Sequence, residues 1–329
     1  MILALETSCD DTCAAVITRE GEIRSNVVSS QGVHDRYGGV VPEIASRHHL
    51  ELVNAVVDDA LAQAGATLDD AETIAVTQGP GLVGALLIGV ATAKALAASR
   101  RLPLAPVDHL QGHVAANFLA PEPFEPPFLC LIASGGHTFL ARVEERDGYT
   151  VLGTTLDDAA GEAFDKGARL LGLGYPGGPA LSRLAATGDR TAFDFPTAAR
   201  VAGLDFSFAG LKTALLYKVR ELGEEETAAR AADLAASYEH AIVEALIARV
   251  ERALDAEAEP RLAIGGGVAA NRRLRERAAG LGVPVHIPPP ELCTDNAAMI
   301  ASTARFVRPV DFPDYLALDA YATAHHHAL

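Results

Sequence analysis

Cysteine and lysine are both rare in this sequence, and neither is clustered. The four cysteines, Cys9, Cys13, Cys130 and Cys293, form no CxxC pair and no zinc-finger spacing, which argues against a disulfide framework and against a structural zinc ribbon. We expect them to be buried thiols in a reducing compartment, because cysteine favours protein interiors. Only four lysines are present, so arginine carries most of the positive charge.

Positive charge is also in deficit overall, because the net charge is −16 at pH 7. A protein that coats nucleic acid unaided is usually basic, so this class is disfavoured. Contact with RNA at a local basic patch stays open, and Arg272, Arg273, Arg275 and Arg277 would form such a patch on one helix. The alternative interpretation of this arginine cluster is an ordinary solvated helix face.

Signals for export or for a membrane are missing as well. The N-terminus enters an apolar run directly, without the basic region that opens a signal peptide. The longest apolar stretch, residues 82–98, is short for a transmembrane helix and contains Lys94. These features predict a cytoplasmic protein that does not act at a membrane. The run His325-His326-His327 is either native or an added tag, so it is left out of the site argument.

One supersecondary plan occurs twice along the chain. Each copy begins with three apolar runs separated by polar turns, at residues 2–28 and 128–153, which predicts a three-stranded meander. Each copy then continues with helical stretches and with a strand, a glycine-rich loop and a helix, at residues 73–99 and 261–279. Apolar spacing and stop signals predict further helices over residues 43–64, 157–172, 224–255 and 295–306, and loops over residues 194–212.

A duplicated lobe of this kind is how the actin-like nucleotide-binding fold is built. We therefore predict an α/β protein of the actin-like class (ASKHA, ribonuclease H-like), with duplicated lobes, an interlobe cleft and a nucleotide-like ligand. Residues 1–107 would form the first lobe, completed by the C-terminal helix within residues 295–329. Residues 108–294 would form the second lobe, with the ligand site at the interface.

Two histidines four residues apart, His109 and His113, open a predicted helix. On a helix this spacing puts both imidazoles on one face, within reach of one metal ion; a partly exposed helix face is the alternative. A zinc metalloprotease would carry glutamate directly after the first histidine, but residue 110 is leucine. A third ligand must come from elsewhere, and Asp295 is a candidate carboxylate, with helix N-capping as its alternative role.

Two glycine-rich turns could approach an anion closely. Ser134-Gly135-Gly136 lies between two strands, where paired glycines expose backbone amides, although a plain tight hairpin has the same pattern. Gly265-Gly266-Gly267 lies between a strand and a helix, whose N-terminal amides favour anions. This second turn matches neither a P-loop nor the GxGxxG fingerprint. Asn271 follows it as a short polar side chain suited to a base or ribose contact.

Carboxylates crowd the predicted helix that follows residue 157. Asp158, Glu162 and Asp165 fall on one face, and their repulsion calls for a positive or hydroxyl-bearing partner. Ribose hydroxyls, a metal or Lys166 would each meet that need. An acidic first turn that complements the helix dipole is the alternative for Asp157 and Asp158.

Several short motifs, taken in order, resemble one known family along nearly the whole chain. That family is the tRNA threonylcarbamoyladenosine transferases (bacterial TsaD-like, formerly described as O-sialoglycoprotein endopeptidase or glycoprotease). The motifs are Glu6-Thr7-Ser8-Cys9-Asp10, residues 37–43, residues 79–84, residues 109–113, Ser134-Gly135-Gly136-His137-Thr138, residues 161–166, residues 175–179, residues 207–213, residues 265–268 and Cys293-Thr294-Asp295-Asn296. So many motifs in one order are far more specific than any single one.

The resemblance implies an actin-like fold and assigns site residues by position. His109, His113 and Asp295 would hold one divalent metal, with iron (Fe²⁺) favoured and zinc (Zn²⁺) as the alternative. An adenylate would be bound by Ile132, Ala133, Ser134, Gly135, Gly136, Asp165, Gly178 and Asn271. Ser182 lies where many relatives carry aspartate and others serine, so no role is assigned to it. The general base is unassigned, and Asp10 and Asp11 in the first loop are candidates.

The implied activity is transfer of a threonylcarbamoyl group from threonylcarbamoyl-AMP to N6 of adenosine 37, next to the anticodon, in tRNAs that read ANN codons. The implied partners are tRNA, a paralogous actin-like protein and a small ATPase in a multiprotein complex. Two rival functions stay open at this point. One is a metalloprotease, as the older family name claims, and the other is a nucleotide-binding scaffold without transfer activity.

Overall fold

Two five-stranded sheets carry the fold of the described residues, which are 1–197, 201–258 and 260–323 of this computed structural model. The strands of the first sheet are β1 (Ile2–Glu6), β2 (Asp11–Ile17), β3 (Ile23–Ser30), β4 (Thr73–Gly79) and β5 (Leu104–Asp108). Those of the second are β6 (Phe128–Ala133), β7 (Thr138–Glu145), β8 (Gly148–Thr154), β9 (Leu262–Gly265) and β10 (Val285–His286). The three histidines at residues 325–327 lie outside the described residues.

The two sheets repeat one topology. The first has the order β3-β2-β1-β4-β5, and the second, taken from its other edge, has the order β8-β7-β6-β9-β10. In each, the first two strands pair antiparallel, whereas the first strand pairs in parallel with the fourth. The predicted duplication of meander plus later strand is therefore confirmed. The meanders form because short apolar runs alternate with polar turns, of which those at residues 18–22 and 134–137 contain glycine.

Helices connect and cover these strands. They are α1 (Pro42–Ala64), α2 (Val83–Arg100), α3 (His109–Ala115), α4 (Ala160–Leu170), α5 (Gly177–Ala185), α6 (Ala209–Ala229), α7 (Ala231–Leu254), α8 (Arg272–Ala279), α9 (Pro290–Cys293) and α10 (Ala297–Ala304). By length and composition alone, α2 is apolar enough to cross a membrane. In the structure it packs against α1 and β4.

The chain divides into two units. The first comprises Met1–Pro126, Glu144–Tyr149 and the chain from Thr294 onward, and the second comprises Pro127–Val143 and Thr150–Cys293. The boundary thus lies after Pro126 and not after residue 107, which puts α3 and its two histidines in the first unit. The chain from Thr294 returns to the first unit, where all eight residues of α10 are buried and the helix packs against β1 and β2.

Some predicted helix limits are wrong. The predicted start at residue 224 is confirmed by a break within α6 at Gly223, whose φ and ψ of 75° and 175° are non-helical. The predicted helix over residues 224–255 is wrong in its continuity, because Arg230, which also has non-helical backbone angles, separates α6 from α7. The predicted loop over residues 194–212 is also too long, because α6 already begins at Ala209. The cap of α6 comes from a distant residue: the Asp157 carboxylate accepts the backbone N–H groups of Phe208 and Ala209, at 2.7 and 3.1 Å.

Candidate functional site

The two predicted metal histidines lie on α3 in the first unit. Asp108, the last residue of β5, caps this helix, since its Oδ1 accepts the backbone N–H groups of Leu110 and Gln111 at 2.9 and 3.1 Å. His109 and His113 are buried, and their ring centroids lie 4.8 Å apart. The predicted helix and the shared face of the pair are therefore confirmed. Leu110, at the position where a zinc metalloprotease carries its glutamate, is buried and offers no carboxylate.

Asp295, distant in sequence, lies beside the two histidines. Its Oδ1 lies 3.6 Å from His109 Nε2 and 3.3 Å from His113 Nε2. One ligand atom from each of the three residues can be chosen so that all lie within 4.8 Å of one another. The alternative role of Asp295 as a helix cap is not adopted, because the neighbouring Asn296 caps α10 by accepting the N–H of Met299 at 3.0 Å.

Glu6 orients the His109 ring. It is the first residue of the first motif, but the sequence assigned it no role. The Glu6 side chain is buried at the end of β1, and its Oε2 lies 3.0 Å from His109 Nδ1. Ser8 Oγ lies 3.2 Å from the same nitrogen. A proton on Nδ1 leaves Nε2 facing Asp295, which is how carboxylates commonly orient metal-binding histidines. The available signal was a charged residue that ends the otherwise apolar strand Ile2-Leu3-Ala4-Leu5.

Negative charge dominates the electrostatics of this cluster. Burial opposes a charge on His109, yet Glu6 and Asp295 raise its pKa to about 9. Burial would raise the pKa of Glu6, but the adjacent His109 holds this pKa below its usual value. Burial raises the pKa of Asp11, one of the two candidate bases, to about 7, and the carboxylate of Asp295 contributes. The site therefore favours an added positive charge.

The donor set fits a divalent metal ion. Both ring nitrogens of His113 are buried, and neither forms a hydrogen bond with a described residue. His113 Nε2 approaches Asp295 Oδ1 without hydrogen-bond geometry. Two imidazoles and one carboxylate are ligands that zinc accepts and that many iron(II) sites use, with further positions left open.

In the second unit, the two glycine-rich turns lie side by side. Parallel pairing of β6 with β9 puts Ile132 opposite Gly265, so both turns leave the same edge of the sheet. Gly266 has a φ of +84°, and a Cβ there would lie 2.4 Å from the carbonyl oxygen of Ala133. The Ser134–Gly136 turn is a tight hairpin in which Ser134 N–H donates to His137 O at 2.8 Å. The hairpin interpretation and a ligand-binding role are thus compatible.

Asp165 connects α4 with the predicted ligand residue Gly178. Its Oδ1 accepts the N–H groups of Gly177 and Gly178 at the start of α5, at 2.9 and 3.2 Å. Burial raises the pKa of Asp165, against the effect of these two hydrogen bonds. Of the partners considered for the acidic face, Lys166 is present: its Nζ lies 2.6 Å from Asp158 Oδ1 and 2.8 Å from Glu162 Oε1.

Asn271 belongs to a polar network that includes a residue the sequence did not indicate. Its Oδ1 caps α8 by accepting the N–H of Leu274, and its Nδ2 donates to Ser182 Oγ and Glu239 Oε1, at 2.9 and 2.7 Å. Ser182 Oγ also donates to Glu239 Oε1, at 2.7 Å. Ser182 and Glu239 line a cavity of about 470 Å³, together with His240, Arg272 and Arg273 among others. That volume is within the range of small-molecule pockets.

The arginine cluster on α8 is largely engaged within the second unit. Arg277 Nε lies 2.7 Å from Glu244 Oε1, and Arg273 lies 3.6 Å from the same oxygen. Arg275 Nε donates to the carbonyl of Ala269 at 2.7 Å. Only Arg272 among these four keeps most of its side chain exposed, at 77%. The helix therefore offers less free positive charge than its sequence suggests.

Comparison with known proteins gives one consistent family. Residues 22–302 match the family model described as tRNA N6-adenosine threonylcarbamoyltransferase. A protein of that name from Anaeromyxobacter dehalogenans is 54% identical over 307 residues, covering 91% of this chain and 92% of the relative. One from Trichlorobacter lovleyi is 50% identical over 329 residues, covering 98% and 96%. One from Clostridium perfringens is 49% identical over 312 residues, covering 93% and 92%.

Solved structures with low sequence identity share the fold. Thermococcus kodakarensis HypF has a TM-score of 0.61 at 15% identity, covering 92% of this chain and 47% of HypF. Component A of (R)-2-hydroxyglutaryl-CoA dehydratase from Acidaminococcus fermentans has a TM-score of 0.56 at 14% identity, covering 93% and 95%. These similarities support the predicted actin-like fold. On the family match and the identity to its relatives, the chain belongs to the tRNA N6-adenosine threonylcarbamoyltransferase family.

Proposed function

We propose that this protein transfers the threonylcarbamoyl group from threonylcarbamoyl-AMP to N6 of adenosine 37 in tRNAs that read ANN codons, releasing AMP. The observation that carries the proposal is the family match over residues 22–302, with relatives about half identical along nearly their whole length. The clustering of His109, His113 and Asp295 in the first unit supports it.

The second unit would bind the adenylate. The adjoining turns at Ser134–Gly136 and Gly265–Gly267 expose backbone amides suited to phosphate oxygens. The nearby cavity, lined by Ser182 and Glu239, has the size and polarity for the adenosine part. Asn271 would then act through its fixed amide, which Ser182 and Glu239 hold in one orientation. Ile132, Ala133, Asp165 and Gly178 would shape the backbone around the ligand.

The first unit would hold the metal through His109, His113 and Asp295, with iron favoured over zinc. Such an ion would act as a Lewis acid toward the carbamoyl oxygen or orient the threonyl part. The contribution of Glu6 is to hold a proton on His109 Nδ1, so that Nε2 stays available as a ligand. The mixed anhydride already has a good leaving group, so positioning and charge stabilisation would dominate the rate.

A base that accepts the proton from the N6 amine would come from the end of the first loop or from Asp11, the first residue of β2. Asp10 and Asp11 are the candidates, and Asp11 is favoured because burial raises its pKa to about 7. A general base works best when its pKa lies near the operating pH.

Protein partners are proposed from the net charge of the chain and from its resemblance to the family. A net charge of −16 and the internally paired arginines of α8 leave little free positive charge for tRNA. We propose that a paralogous actin-like protein and a small ATPase complete a cytoplasmic complex, and that partner surface supplies part of the tRNA contact.

The function is tested in an extract that lacks its own family member, supplied with threonine, bicarbonate, ATP and unmodified tRNA. Mass spectrometry of the digested tRNA would detect threonylcarbamoyladenosine, and a variant with both His109→Ala and His113→Ala is the control. Product that requires the intact histidine pair supports the transferase. If no product forms although adenylate and the native partners are present, the scaffold function is favoured.

Replacing Gly136 with alanine tests whether the first turn contacts the adenylate. A Cβ at this exposed position meets no atom within 4 Å, so folding should be unaffected. A bound phosphate against the turn would meet the new methyl group, and we expect binding to weaken about 10-fold. Titration calorimetry with AMP or a stable threonylcarbamoyl-AMP analogue measures this. Gly148→Ala, equally uncrowded, is the matched control, and equal affinity in both variants would argue against the assigned turn.

A further inference from the structure

The chain after residue 302, where the match to the family model ends, returns to the region of the predicted metal ligands. We call residues 314–322 the C-terminal segment. Backbone and side-chain hydrogen bonds tie it to β4, to α2 and to the turn between them. These bonds run from Lys94 Nζ to the carbonyls of Leu316 and Leu318, from Gln78 Nε2 to Asp319 O, from Tyr321 N to Gln78 O and from Gly81 N to Ala322 O.

The side chain of Tyr321 extends from this segment to Asp108. Its hydroxyl donates to Asp108 Oδ2 at 2.8 Å. Space for the ring depends on Gly79, because a Cβ on Gly79 would lie 2.6 Å from the ring carbon Cδ2 of Tyr321. Any larger residue at position 79 would displace Tyr321, so the contact with Asp108 is built into the packing of β4.

Asp108 in turn fixes the start of the helix that carries both histidines. One oxygen, Oδ1, accepts the first free N–H groups of α3, while the other, Oδ2, accepts the Tyr321 hydroxyl. The carboxylate is thus held at both oxygens, and its capping orientation is set. His109 follows directly in the chain, and His113 lies one turn further along the same face.

We propose that Tyr321 is a positioning residue for the metal site, acting through the Asp108 cap of α3. This inference rests on the proposed metal site of His109, His113 and Asp295. Without the hydroxyl, Asp108 can leave its capping orientation, and the first turn of α3 loosens at His109. By linkage, a bound metal should steady the C-terminal segment to the same degree that the segment strengthens metal binding.

The test is a Co²⁺ titration of the full-length protein, followed by visible absorption. Co²⁺ takes the same ligand types as iron and zinc and reports its coordination directly. We expect Tyr321→Phe to raise the Co²⁺ dissociation constant about 3- to 10-fold. Loss of a residue that contacts a metal ligand directly typically costs about 10- to 100-fold, and Tyr321 acts one step further away, through Asp108. Tyr315→Phe is the matched control, because the buried Tyr315 hydroxyl has no hydrogen-bond partner among the described residues.

The outcomes separate this inference from the proposal on which it rests. If the wild-type protein binds no Co²⁺, or binds it at a site that His109→Ala leaves intact, the proposed metal site and the role of Tyr321 both fail. If the wild-type site is present and Tyr321→Phe binds Co²⁺ as tightly as Tyr315→Phe does, only the role of Tyr321 fails. A fall in thermal stability of Tyr321→Phe with unchanged Co²⁺ affinity would likewise reduce Tyr321 to a structural residue.

A second measurement uses the wild-type protein alone, so it does not depend on how the variants fold. Hydrogen exchange at the amides of Leu318 and Tyr321, which donate to backbone carbonyls, is compared with and without saturating Co²⁺. We expect slower exchange at both amides when the metal is bound. Equal exchange, with protection confined to α3, would overturn the coupling.

Discussion

Replacement of His109 with alanine is expected to abolish metal retention and threonylcarbamoyl transfer together. His109 and His113 are two of only three candidate ligands in the described cluster, so the variant would keep one imidazole and one carboxylate. We expect the metal dissociation constant to rise well beyond the roughly 10- to 100-fold typical of losing an outer-sphere partner. Metal content after gel filtration and product formation on tRNA are the two measurements.

The matched control for this variant is His48→Ala. His48 is also in the first unit, on α1, but it does not belong to the cluster. It should retain metal and activity at wild-type levels. A His109→Ala protein that is free of metal and fully active would contradict the Lewis-acid role, although it would leave the family assignment untouched.

The second large effect is expected at Gly161, the second residue of α4. A Cβ there would lie 2.6 Å from Ser134 O and 2.8 Å from Gly135 Cα, and backbone atoms cannot rotate away as a flexible side chain can. Gly161→Ala should therefore push the Ser134–Gly136 turn outward and cost about 2 kcal/mol of unfolding free energy. It should also remove the hydrogen bond from Gly161 N–H to Ser134 O, now 3.0 Å long, and reduce adenylate binding.

Chemical denaturation and titration with AMP would measure both consequences. Gly210→Ala serves as the control in the same unit, since a Cβ at the start of α6 meets no atom within 4 Å. We expect that variant to be as stable as the wild type or slightly more so, because alanine favours helices over glycine. Wild-type stability and affinity for Gly161→Ala would mean that α4 does not fix the turn.

Much of the fold could be predicted because its signals are local. Three apolar runs separated by turns define each meander, and a glycine after a strand marks each later turn. The break of α6 at Gly223 follows the same rule, since the predicted helix starts at residue 224, but the first residue of α6 and the break at Arg230 could not be found in this way. Its cap is supplied by Asp157, some 50 residues earlier in the chain, and the break at Arg230 lies in an alanine-rich stretch with no glycine or proline.

The candidate site shows the same difference between local signals, which could be predicted, and long-range contacts, which could not. The spacing of His109 and His113 is local and was sufficient to predict their shared face. Asp295 was only a candidate, because the choice between ligand and cap depended on Asn296 taking the cap. Glu6 and Glu239 act on residues that are distant in sequence, His109 and Asn271. No spacing rule relates such pairs, so only the structure could reveal them.

The late return of the chain to the first unit has a consequence for biosynthesis. The second unit intervenes between Pro126 and Thr294, so about 170 residues must be translated before α10 can cover β1 and β2. At about 5 to 20 residues per second, the first sheet waits on the order of 10 to 30 seconds with that apolar surface uncovered. The nascent chain is therefore an expected client of ribosome-associated chaperones, and Asp295 can join the two histidines only after the second unit has been synthesised.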